Sequence, residues 1–256
     1  MAIERGRFNW VEFVTTDARK AVEFYSHVVG WTVSEMKMAG GPPYLVLEAG
    51  GQGVGGVFAA TPKQLEQGMK TGWVGYLTTP ELDADVKRLE RLGGKLHRAP
   101  EDIPDVGRIA PVSDPHGAGF MLMQPNPPAG GVRPPPTGPG TLGWVELTTS
   151  DPTKAYAFYS ELFGWKSERV TPIGENLEYR VFSTGAPPHG GIMKSVEPRP
   201  THWLYYFKVD DINAAASRVS EKGGKLHARP QLVPTGDWVA TVDDPLGGTF
   251  ALISRS

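Results

Sequence analysis

The chain has 256 residues, enough for two domains of ordinary size, and its 26 Lys and Arg nearly balance 28 Asp and Glu for a formal net charge of −2. With neither sign gathered in blocks, that balance argues against nucleic-acid and anionic-membrane partners, and the absence of cysteine excludes disulfides, thiolate catalysis and Cys-ligated metals. No stretch approaches the ~20 apolar residues of a membrane span and the amino terminus has no signal-peptide pattern, so a cytoplasmic protein is expected.

In chain order, Trp10 to Val14 alternates as a strand and runs into Thr16-Asp17, a pair suited to capping a helix. Ala21, Phe24, Tyr25 and Val28 form the apolar stripe of that helix, and Gly30 stands where a left-handed cap belongs. Strands are expected at Tyr44 to Glu48 and Val54 to Ala59, and Gly50 to Gly56 reads as a hairpin turn because no helix follows it to make a phosphate loop. The pattern restarts with a strand at Trp73 to Thr78 and a helix striped by Leu82, Val86 and Leu89. Strands near Lys95 to Arg98, Arg108 to Ser113 and Gly119 to Met123 complete the half.

The second half repeats the first. Phe8 to Trp31 and Leu142 to Trp165 are identical at 12 of 24 positions at an offset of 142 − 8 = 134. Gly93 to His97 recurs as Gly223 to His227, and Asp114-Pro115-His116-Gly117 as Asp244-Pro245-Leu246-Gly247. Between the halves, residues 125–140 are rich in Pro and Gly and read as an extended linker. The expectation is an α+β chain of two domains, 1–124 and 141–256, built from four βαβββ modules in curled mixed sheets.

That module order, with a helix ending Phe-Tyr-x4-Gly-Trp and an Asp-Pro-x-Gly turn before the last strand, resembles the vicinal oxygen chelate superfamily, in particular its two-domain antigen-type members. The superfamily includes glyoxalase I, extradiol dioxygenases and the fosfomycin and bleomycin resistance proteins. The resemblance implies a half-open barrel around a pocket in which enzymes of the family hold a divalent metal. Its ligand positions fall here on Trp10 and Trp144, on Val74 and Leu204, and on Met121 and Ala251. None of the six side chains offers the imidazole or carboxylate such sites need, so no metal and no cofactor is expected.

Strand alternation sets the expected lining. If Trp10 and Trp144 face the pockets, so do Glu12 and Glu146, with Tyr76, Thr78, Met121 and Met123 in the first half and Tyr206, Lys208, Ala251 and Ile253 in the second. The candidate ligand contacts are Trp10, Tyr76, Met121, Met123, Trp144, Lys208 and His189; the candidate proton-moving groups are Glu146, His202, Tyr206 and Glu12. An aromatic, thioether-rich lining with a carboxylate suits a small hydrophobic or aromatic molecule, bound by a monomer or homodimer. Two alternatives stay open: the tryptophans fill the barrel, and the two glutamates are structural ion-pair members. An enzyme using Glu, His and Tyr for dehydration, cyclisation or isomerisation of an aromatic or polyketide-like substrate is the second functional reading. A metal-dependent lyase or dioxygenase is the third.

Overall fold

The computed structural model describes residues 4–38, 43–66, 68–126, 136–174, 177–185, 187–196 and 200–255. The first half runs β1 (Phe8–Thr15), α1 (Ala18–Val29), β2 (Thr32–Met36), β3 (Tyr44–Ala49), β4 (Gln52–Ala59), α2 (Pro62–Glu66), β5 (Gly72–Thr78), α3 (Leu82–Arg91), β6 (Lys95–Leu96), β7 (Glu101–Ile103), β8 (Gly107–Ser113) and β9 (Gly119–Pro125). The second runs β10 (Leu142–Thr149), α4 (Pro152–Phe163), β11 (Lys166–Gly174), β12 (Leu177–Ser183), β13 (Gly190–Lys194), β14 (His202–Lys208), α5 (Ile212–Glu221), β15 (Lys225–Leu226), β16 (Gln231–Leu232), β17 (Asp237–Asp243) and β18 (Thr249–Arg255).

Each half supplies one nine-stranded mixed sheet, open rather than closed into a barrel. The orders are β2-β3-β4-β1-β5-β9-β8-β6 and β11-β12-β13-β10-β14-β18-β17-β15, with β7 and β16 paired on β8 and β17. In every module the first strand lies parallel to the last: β1 on β4, β5 on β9, β10 on β13 and β14 on β18. The expected βαβββ modules are therefore present four times.

Local chemistry explains the helices. Asp17 accepts the Lys20 N–H at 3.0 Å and Asp151 that of Lys154 at 3.0 Å, so each carboxylate satisfies a donor that a helix start leaves orphaned. Gly30 and Gly164 end α1 and α4 at φ +89° and +76°, as a left-handed cap requires. The two stripes, Ala21, Phe24, Tyr25, Val28 and Ala155, Phe158, Tyr159, Leu162, are buried. At the start of α3 the Glu81 side chain makes no cap bond, and Thr79 Oγ1 accepts its N–H. Gly50 and Gly51, at φ +57° and +74°, form the two-residue turn of the β3–β4 hairpin.

The strands β2 and β11 were not located individually from sequence. They are edge strands with mostly exposed side chains, so the apolar alternation is weak. The short β7, β16 and α2 were not expected either; α2 buries no side chain. Of the expected linker, residues 127–135 lie outside the described residues. Its last residue, Gly140, is buried and bonded, with its N–H on Lys208 O at 2.7 Å.

The chain packs as two compact units, each drawing one module from each half. The first comprises Met1–Asn9, Gly75–Pro134 and Val145–Trp203, and the second Trp10–Val74, Pro135–Trp144 and Leu204–Ser256. In the second unit the Tyr25 hydroxyl donates to Asp244 Oδ2 at 2.5 Å and accepts from Trp73 Nε1 at 2.8 Å. Trp31 Nε1 donates to Gly140 O at 2.7 Å. The first unit repeats the tyrosine–aspartate and indole–carbonyl bonds with the halves exchanged, while Trp203, in the place of Trp73, leaves its indole N–H unbonded among the described residues. Tyr159 hydroxyl donates to Asp114 Oδ2 at 3.2 Å, and Trp165 Nε1 to Gly6 O at 2.7 Å. The motif residues that recur along the sequence thus fasten one half to the other inside each unit.

Each aspartate also closes its own turn. Asp244 Oδ1 accepts the N–H groups of Leu246 and Gly248, and Asp114 Oδ1 those of His116 and Ala118. Around these bonds pack Phe13, Trp31, Trp73, Phe207 and Phe250 in the second unit, and Phe8, Trp165, Phe182 and Trp203 in the first. Each such ring contributes on the order of 2 kcal/mol by its burial.

Candidate functional site

On β1, Val11 and Phe13 are 2% and 0% exposed, with Phe13 against Tyr25 of α1; alternation puts Trp10 and Glu12 on the opposite, half-buried face. Register then builds a site across three strands. Glu12 lies opposite Gly56 of β4, and Gly56 lies opposite Val46 of β3. Because Gly56 has no side chain, the ring of Tyr44, two residues before Val46, lies across it; a methyl group there would collide with the Tyr44 hydroxyl. Tyr44 accepts the Trp10 indole N–H at 3.0 Å and donates to the Glu12 carboxylate. The Trp10 ring reaches onward to Gly53, where an added Cβ would lie 3.3 Å from it. Burial, and then the Glu12 charge, push the Tyr44 pKa well above that of an ordinary phenol. Tyr44 therefore keeps its proton.

The first unit carries the same elements from the second half. Glu146 lies opposite Gly191 of β13, and the Tyr179 ring crosses Gly191 as Tyr44 crosses Gly56. Trp10, Glu12, Trp144 and Glu146 are sequence candidates; Tyr44 and Tyr179 are not among them. Their signal was present: Tyr44 with Gly55-Gly56 and Tyr179 with Gly190-Gly191 recur at an offset of 179 − 44 = 135, one more than the opening motif.

The other candidates separate into groups. In the first unit, β5–β9 register sets Tyr76 beside Met121 and Thr78 beside Met123, as alternation predicts; Tyr76 is buried and both methionines are half-buried. In the second unit, Tyr206 is beside Ala251 and Lys208 beside Ile253. Trp144 packs on a cluster of Leu204, Tyr206 and Ala251, joined by Val239 and Ile253. Lys208 and Ile253 cross over Gly143, where an added Cβ would come within 2.9 Å and 2.7 Å of them. His202 is exposed at the start of β14 with Nδ1 on Pro200 O at 2.9 Å. His189 lies edge-on to Phe182 in the first unit, near Arg7 and Glu4, where burial and then the Arg7 charge lower its pKa to about 4. It is a neutral imidazole at physiological pH.

In the second half the three positions that the family resemblance assigns to metal ligands do converge, because Trp144, Leu204 and Ala251 belong to one cluster. What converges is an indole, an isobutyl group and a methyl, none with a donor atom for a divalent cation. In the first half the corresponding residues are Trp10, Val74 and Met121. Among the described residues no group of three or more His, Asp or Glu is arranged to hold a metal ion. The residues present do not fit the family's metal.

The model of the Glyoxalase/Bleomycin resistance protein/Dioxygenase superfamily matches residues 7–122 and again 141–252. The chain belongs to this superfamily. Among curated superfamily relatives, "Putative glyoxylase CFP32" of Mycobacterium tuberculosis is 34% identical over 251 residues, covering 97% of this chain and 95% of the relative. "Anthracycline biosynthesis protein DnrV" of Streptomyces peucetius is 29% identical over 263 residues, covering 95% and 91%. Solved superfamily folds superpose closely. A Mn(II)-bound glyoxalase from Novosphingobium aromaticivorans gives a TM-score of 0.67 at 18% identity, covering 99% of this chain and 83% of that one. Homoprotocatechuate 2,3-dioxygenase from Arthrobacter globiformis gives 0.70 at 15%, covering 98% and 80%.

Proposed function

We propose that the protein binds a small hydrophobic or aromatic metabolite without a metal. The observation that carries this reading is the Trp144, Leu204, Tyr206 and Ala251 cluster at the position of the family's chelate. This buried cluster, with the half-buried Trp144 packed against it, combines indole, phenol and aliphatic groups, a composition that suits a flat apolar ligand. The half-buried Trp10, with Glu12 and Tyr44 beside it, offers the same combination in the first half. The likeness to a protein named for anthracycline biosynthesis supports a role in secondary metabolism. A cytoplasmic monomer or homodimer, acting without nucleic acid or membrane, goes with this reading. The test is equilibrium binding of 2-methoxynaphthalene with and without excess EDTA. Saturable binding unchanged by the chelator is expected; binding lost with EDTA and restored by a divalent cation would contradict it.

A second reading has its own support. Tyr44 orients Glu12, an arrangement that fits a general base as well as a binding group, and Glu146 stands in the same register against Gly191. On this reading Glu12 and Glu146, with Tyr206 and His202, move protons in a dehydration, cyclisation or isomerisation. Glu146→Gln separates the two: it abolishes turnover while leaving ligand affinity within a few-fold if the protein is an enzyme.

A further inference from the structure

We infer that Lys208 takes the negative group of the ligand, so that the second half of the chain binds flat aromatic monoanions whose charged group is a carboxylate. This rests on the aromatic-ligand reading above and adds the charge that the ligand must carry. Leu204, Tyr206 and Lys208 alternate along one face of β14; the first two belong to the apolar cluster, and Lys208 is the half-buried residue at its margin. Ile253, the register partner of Lys208 on β18, packs against the same cluster. A Cβ added to Gly143 would lie 2.9 Å from the Lys208 γ-carbon and 3.4 Å from its ε-carbon, so the aliphatic stem runs across bare backbone next to Trp144 and is held there. The ammonium at its end has no ion pair or hydrogen bond among the described residues.

A half-buried ammonium beside indole, phenol and aliphatic groups has given up part of its hydration, and a ligand anion replaces it with charge-assisted hydrogen bonds. One ammonium balances one negative charge, and an aromatic carboxylate is ionised at neutral pH whereas an ordinary phenol is not. At the corresponding place the first half has no cation. Lys208 matches Thr78 at the offset of the Gly-Gly turns, 223 − 93 = 130 and 208 − 78 = 130, and the Thr78 hydroxyl donates to Arg7 O at 3.1 Å. The anion site therefore belongs to the second half.

The test compares 2-naphthoate with 2-naphthamide, matched in shape and differing in charge, by calorimetric titration of the full chain at neutral pH. The wild type is expected to bind naphthoate about tenfold or more tightly. In K208M and K208Q, which keep an aliphatic stem and remove the charge, that preference falls to within about threefold while naphthamide affinity stays unchanged. Equal affinities of the wild type for the two probes would overturn this inference and leave the aromatic-ligand reading standing. A preference that survives in both variants would overturn it in the same way, because the anion would then be held elsewhere. Failure of both probes to bind would overturn the aromatic-ligand reading and this inference with it.

Discussion

Tyr25 shows how much can rest on one oxygen. Its hydroxyl donates to Asp244 and accepts from Trp73, and all three groups lie in a ring-lined interior, so Tyr25→Phe strands a carboxylate oxygen and an indole N–H at once. A loss of about 2 to 4 kcal/mol in urea denaturation is expected, above the ~1 kcal/mol of a typical hydrogen bond. His189 gives a pH signature. Its folded pKa of about 4 lies below the ordinary value of 6.5, so between these values the unfolded chain binds more protons and stability falls as pH falls. The contribution is complete above pH 6.5, is lost progressively toward pH 4, and amounts to about 3 kcal/mol. Asp114 and Asp244 act in the opposite sense: burial raises their pKa values, so their ionisation subtracts stability as pH rises through the acid range. His189→Leu should therefore remove the added steepness between pH 6.5 and 4 and leave the aspartate contribution. At this scale Trp10, Glu12, Trp144 and Glu146 could be named from sequence because they recur at a constant offset and obey strand parity. Tyr44 and Tyr179 could not be assigned a role, since it depends on a glycine in an intervening strand and on the β1–β4–β3 register.

Among elements, the helices were the most legible. A capping aspartate, a four-residue stripe and a glycine cap are local signals that need no knowledge of partners. The Gly-Trp that follows each helix was legible only as a repeat. The partner of each indole is a backbone carbonyl, Gly140 or Gly6, and no side-chain chemistry marks a carbonyl in a sequence. Gly6 sits at φ +74°, and an added Cβ would lie 2.5 Å from the Phe163 Cβ, a core atom with no room to withdraw. Gly117 has φ +94° with nothing within 4 Å of such an atom. Gly6→Ala is expected to cost more than about 2 kcal/mol, from strain plus collision, and Gly117→Ala about 1 kcal/mol from strain alone. Similar losses in chemical denaturation would show that the Gly6 docking site is looser than the geometry indicates.

At the scale of the whole molecule, duplication is visible in the sequence, but the way the copies share their cores is not. Each compact unit contains a module from each half, and the bonds Tyr25 to Asp244 and Tyr159 to Asp114 connect residues 219 and 45 positions apart. Residues 1–134 or 135–256 produced alone would expose the rings that surround these bonds. Each is expected to be insoluble or self-associated in sedimentation velocity, and mixing the two is expected to restore a species of full-chain mass. A well-folded monomeric half would contradict shared units.

The superfamily frame persists here with an apolar cluster at the positions that the family resemblance assigns to the chelate. The most direct test is metal content by mass spectrometry after loading with zinc, manganese, nickel or iron and gel filtration, with the variant W144H/L204H/A251E as reference. The wild type should retain far less than one equivalent per chain while the variant, with ligands restored at the three converging positions, retains about one. A wild-type chain that keeps one equivalent of any of these metals would show that a metal site survives.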